Sequence, residues 1–164
     1  MHSDLASSMD ALASESAIRR LMAAYLDAVD RADDGARIAS FFTDDGIFEG
    51  IGELLGFLGR HQGRHAIARR FDATREHLTF SVHRRTESIV VGGDRATGTW
   101  TYLQAAVHDG QAVWVAGRWR NEFTRAGGEW KIARNACEGI FVAPYQDGWG
   151  PSSRSPVPHR DGGG

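Results

Sequence analysis

The sequence has little cysteine. Cys137 is alone among 164 residues, and one thiol closes no intrachain disulfide and builds no thiolate cluster for a metal. Proline is almost as scarce: three of the four lie beyond residue 150, so nothing in the body of the chain is broken by it. Charge of one sign is missing too. Nineteen Lys and Arg face 21 Asp and Glu, a net charge of −2, which excludes nucleic-acid binding driven by a bulk basic excess. Lys131 is the one lysine, a composition bias and not a nucleic-acid signature. No run approaches 18 apolar residues, so no membrane-spanning helix is expected. The first residues lack a basic segment leading into an apolar one, so no secretory signal is read and the expected localisation is cytoplasmic. G-x-S-x-G, the P-loop and a strand-borne G-x-G-x-x-G are also absent.

What is present is an ordinary soluble composition, 41% hydrophobic and 24% charged, in a length that fits one domain. Residues 10–149 are read as that domain. Residues 1–9 and 150–164 are polar or Pro/Gly-rich and are read as tails. Ile18, Leu21, Met22, Tyr25, Leu26 and Val29 recur at three- and four-residue steps and predict an amphipathic first helix. A short second helix is expected over 36–42, a turn at Thr43-Asp44-Asp45-Gly46 and a short strand over 47–51. A third helix over 64–76 turns Ile67, Ala68 and Phe71 inward. Residues 52–63 combine glycine at nearly every fourth position with Leu54, Leu55, Phe57 and Leu58. They are expected to form an irregular loop, either a flap over a pocket mouth or a segment packed on the core.

From residue 78 the period changes. Runs over 78–91, 95–108, 111–125 and 129–142 are rich in Val, Ile, Thr, Phe and Trp. They are separated by Gly92-Gly93-Asp94, Asp109-Gly110 and Gly127-Gly128, each a hairpin signal. Helices followed by an antiparallel meander predict an α+β fold. Strands of this length must curl, and a curved sheet wrapped around three N-terminal helices makes a cone with an internal pocket.

Few residues stand out chemically. Asp30 borders the buried stripe at the end of the first helix; it is a candidate catalytic carboxylate or a solvated helix end. His83, in mid-strand, is a candidate general base or a structural histidine. The apolar parity changes between Leu78–Val82 and Ile89–Val91, so a bulge is expected between them. Glu49 points either into the cone or to solvent. His61 and His65 stand at i, i+4, but Gly63 interrupts them and no third ligand follows, so no metal site is expected. The tryptophans are read as core or subunit-interface residues, Cys137 as a small buried hydrophobe.

Four stretches in order also carry a likeness: Tyr-x4-Asp and the following turn within 25–48, GRHAIARRF at 63–71, HRRTESIVVGGDRATG at 83–98 and GGEWKIAR at 127–134. Together the chain resembles the SnoaL-like family of the nuclear-transport-factor-2-like superfamily, in the branch that includes scytalone dehydratase and bile-acid 7-alpha-dehydratase. The resemblance implies a catalytic set of Asp30, His83 and Tyr25 and no metal or cofactor. It implies a lyase, a dehydratase acting on a small cyclic or polyketide- or steroid-like hydroxy-ketone. Glu49, Gln104, His108, Trp119 and Asn121 are the candidate substrate contacts, although Trp119 and Gln104 stand where the branch carries other polar groups. An isomerase or cyclase using the same pair is the neighbouring reading. A non-catalytic ligand-binding or dimerisation module is the competing one. The expected partners are a small apolar cyclic substrate and further copies of the chain, as a homodimer or higher homo-oligomer.

Overall fold

The computed structural model describes residues 2–74, 78–82, 87–108 and 111–147. Helix α1 runs from His2 to Asp30, so residues 2–9, expected as a tail, continue the helix. Its stripe buries Ile18, Met22 and Tyr25 against the sheet. The helix ends in a Schellman arrangement. Ala32 N donates to the Val29 carbonyl and Asp33 N to the Ala28 carbonyl, both at 3.0 Å, with Ala32 at a φ of 52°. Asp34 then caps α2 (Gly35–Ala39) through its side chain, 2.7 Å from Arg37 N. A Cβ on Gly35 would lie 2.1 Å from the Ala68 carbonyl oxygen, so only glycine permits the approach of α2 to α4.

Strand β1 spans Phe42–Ile51. The expected turn at 43–46 lies inside it as an irregularity. The pairing of Phe42 with Ile132 passes directly to Ile47 with Arg134, so five steps on β1 match two on the partner. Arg64 braces this bulge, with Nη2 2.7 Å from the Phe42 carbonyl and Nη1 2.8 Å from Asp44. Residues 52–62 are not irregular. They form a 3-10 turn (Gly52–Leu54), a single helical turn α3 (Leu55–Leu58) and strand β2 (Arg60–Gln62), which pairs with β1. α4 (Arg64–Thr74) follows.

Strands β3 (Leu78–Val82), β4 (Ser88–Gly92), β5 (Arg95–His108), β6 (Gln111–Ala126) and β7 (Glu129–Pro144) complete a seven-stranded sheet. Its order is β2-β1-β7-β6-β5-β3, with β4 also on β5. The run expected as one strand over 78–91 is therefore two, both antiparallel to β5. Six steps from Val82 to Ser88 stand against four from Leu103 to Thr99, so the register changes where a bulge was expected. His83 itself lies outside the described residues, as do the Asp109-Gly110 turn and the 150–164 tail. One feature departs from the expected all-antiparallel sheet: β1 pairs parallel with β7. A hairpin signal reports only neighbours in sequence, and β1 has no neighbouring strand before β2 to report. The fold is α+β, helices first, with the core between α1 and the inner face of the sheet.

Candidate functional site

A cavity of about 500 Å³ opens between the C-terminal half of α1, the 54–58 segment, α4 and the inner faces of β5, β6 and β7. That volume suits a one- or two-ring ligand. Much of the wall is apolar: Leu26, Val29, Ile38, Phe48, Leu54, Leu58, Phe71 and Val115 all contribute. Strand alternation explains which side chains arrive. On β5, Tyr102, Gln104 and Ala106 share the inner face; on β6, Val115 and Trp119 do; Cys137 sits opposite Trp119 on β7.

Tyr25 and Asp30 both line the cavity. Five residues on one helix turn by about 140°, yet both reach it because the chain leaves the helix immediately after Asp30 and wraps around the opening. The Tyr25 ring packs edge-on against Phe41, Phe42 and Phe71, at 6.0, 5.7 and 6.5 Å between centroids. Burial pushes its phenol well above the ordinary tyrosine pKa, so at neutral pH it serves only as a neutral hydroxyl. Asp30 is on the exposed side of the opening, with Asp33 beside it. Because His83 lies outside the described residues, the Asp30–His83 pair does too.

The remaining expected contacts divide. Gln104 and Trp119 line the cavity. Trp119 stacks on Tyr102 at 4.8 Å and 18° and lies opposite Cys137, whose Sγ is 3.4 Å from Asn135 Oδ1. Burial pushes the Cys137 thiol up to about 12 and raises the Tyr102 phenol as well. Asn121 is buried but does not line the cavity; it lies one inward-facing position further along β6, opposite Asn135, with Nδ2 3.4 Å from the Met22 sulfur. Glu49 does not line it either. Phe48 takes the inward position on β1, and Glu49 turns to the other face, where Arg134 Nε approaches to 2.7 Å and Arg60 Nε to 3.0 Å. It is a structural carboxylate held by two guanidiniums. The backbone of His108 closes β5 opposite Gln111, and its side chain lies outside the described residues. His61 belongs to β2 and His65 to α4. Their i, i+4 spacing therefore does not place them on one helix, and His61 Nε2 is 2.9 Å from the Leu58 carbonyl.

Arg70 is the cationic cavity residue that sequence reasoning missed. It follows Ile67 by three residues and precedes Thr74 by four, on the face of α4 that turns inward. A charged residue within an otherwise inward stripe is the signal that was available. Its Nε donates to the Leu58 carbonyl at 3.3 Å, the acceptor His61 also approaches. Burial lowers its pKa, and its charge is felt by the Cys137 thiol on the cavity floor.

The comparisons with known proteins agree with this architecture. The profile of the SnoaL-like domain family matches residues 10–135. The chain is 30% identical over 139 residues to gamma-hexachlorocyclohexane dehydrochlorinase of Sphingobium indicum, covering 83% of this chain and 87% of that protein. Among solved structures it resembles the hexachlorocyclohexane dehydrochlorinase LinA-type3 of Novosphingobium barchaimii, at 23% identity and a TM-score of 0.66 over 81% of this chain and 90% of the other. It also resembles an NTF2-like protein with a cystatin-like fold from Novosphingobium aromaticivorans, at 22% identity and a TM-score of 0.63 over 93% and 94%. On the profile match and the 30% relative, helices first and curved sheet after, this chain belongs to the SnoaL-like domain family.

Proposed function

We propose that the protein is a lyase that eliminates HX from adjacent carbons of a small cyclic substrate without a cofactor. The observation that carries this is the cavity, largely apolar and lined by Tyr25 and Asp30, in a chain 30% identical to a dehydrochlorinase. Elimination asks little of a protein: a base at one carbon, room for the departing group at the next, and exclusion of water. In this reading His83 takes the proton, the C–H electron pair becomes the C=C bond, and X leaves with the pair of the C–X bond. Asp30 orients the imidazole and stabilises its protonated form. Tyr25, held neutral by burial, donates a hydrogen bond to the leaving group or to a carbonyl beside the reacting carbon. The departing group is chloride, as in the relative's name, or hydroxyl, as in a dehydratase, which leaves as water by taking back the proton that His83 holds.

Two probes separate these. Gamma-hexachlorocyclohexane reports chloride release, and 3-hydroxycyclohexanone reports enone absorbance on loss of water. The wild type is expected to turn over one of them. His83→Ala and Asp30→Asn are each expected to lower the rate by about 100-fold or more with unchanged circular dichroism. Folded variants that keep the wild-type rate would remove these residues from the mechanism. A wild type that binds the probes and eliminates neither would sink the lyase reading.

A further inference from the structure

Arg70 is the only cation among the described residues that line the cavity. A guanidinium carries five N–H donors in one plane. Among the described residues, the hydrogen bond found for Arg70 is the long one from Nε to the Leu58 carbonyl, and no carboxylate forms an ion pair with it. That carbonyl already has His61 Nε2 at 2.9 Å, so the 55–58 turn does not depend on Arg70. No hydrogen bond is found for the two terminal nitrogens among the described residues, and the residue lines the cavity together with Leu54, Leu58 and Phe71. A leucine or methionine would pack there without the desolvation that a charge incurs. A planar fork of donors in a largely apolar pocket matches the two oxygens of a carboxylate.

We propose that the cavity takes a substrate with an apolar ring body and a single carboxylate, and that the terminal nitrogens of Arg70 receive that carboxylate as a two-pronged pair. This rests on reading the cavity as the substrate site. A monoanion fits because the described lining offers one positive charge. No second cation among the described lining residues competes for that carboxylate, so the bound substrate takes one orientation. Its acidic end goes to α4 and its ring toward Tyr25 and Asp30.

Benzoate and cyclohexanecarboxylate, each beside its neutral amide, test this by calorimetric titration, which needs no turnover. In the wild type the carboxylate is expected to bind roughly ten- to hundred-fold tighter than the amide, the range of a charge-assisted pair. In Arg70→Met that ratio is expected to fall to about one while the amide binds as before. Arg70→Gln, which keeps a donor for the Leu58 carbonyl, repeats the comparison if the methionine variant does not fold. Equal binding of acid and amide by the wild type, no binding of the acid, or a preference that survives in a folded variant would each overturn the proposal. A ring carboxylate that carries a leaving group, such as 3-hydroxy-5-oxocyclohexanecarboxylate, bound through Arg70 but never eliminated would sink the lyase reading and leave this one standing. Elimination from neutral rings with no preference for acids would do the reverse.

Discussion

At the scale of single residues, burial without charge compensation sets the chemistry. Cys137 and Tyr102 line the cavity, and both have pKa values raised by burial. Each is neutral when protonated, and the unfolded chain releases each proton at a lower pH than the folded one does. The folded state therefore holds more protons through the alkaline range, and stability falls as pH rises. For Cys137 the window opens near the ordinary thiol value of about 9 and extends to about 12. The melting temperature is expected to drop between pH 9 and 11 in the wild type and to drop less steeply in Cys137→Ala. Parallel slopes would show that the thiol does not contribute. The same residue scale is where sequence reading was weakest. Glu49 shares β1 with Phe48, and alternation alone leaves open which of the two faces inward. The answer depends on Arg134, eighty-five positions away, and on Arg60. The apolar stripe made Tyr25 legible as a buried helix residue, and only the family resemblance pointed to it as a site residue. Arg70 was not read as a cavity residue because its neighbours Arg64 and Arg69 make a basic helix look like a solvated one.

At the scale of elements, the end of α1 decides the shape of the opening. The Schellman turn carries Asp30 and Asp33 to the rim and does so with alanine, not glycine, at the left-handed position. A Cβ there costs roughly 1–2 kcal/mol, partly offset because glycine loses more backbone entropy on folding. Ala32→Gly is expected to stabilise the protein by about 1 kcal/mol, a rise of about 2–4 °C in melting temperature for a domain of this size. A loss of stability on thermal unfolding would mean that the Ala32 methyl contributes more by packing than the backbone conformation costs. Element identity was broadly legible, because an apolar period of three to four gave way to hairpin-separated strands. Element pairing was not. The 52–62 segment read as irregular from its glycines, yet β2 is ordered by hydrogen bonding to β1, a tertiary effect that local propensity does not report.

At the scale of the whole molecule, apolar surface remains uncovered on one chain. Leu5, Met9 and Leu12 are exposed along the first turns of α1, and Ile140, Val142 and Tyr145 along and just beyond β7. Exposed apolar residues gathered on one element mark an interface more often than an accident. Sedimentation at micromolar concentration is expected to give a mass of at least two chains. A monomer there would leave these residues as ordinary surface. The parallel pairing of β1 with β7 has a consequence in time. Phe42 leaves the ribosome long before Ile132, its partner in the sheet. Until β7 is made, β1 has only the short β2 beside it, Glu49 has no Arg134, and Cys137 is missing from the cavity floor. A chain stalled between residues 75 and 128 holds all four helices and no finished pocket, so the nascent protein must wait, with its greasy α1 stripe uncovered, for the last strand to close the cone.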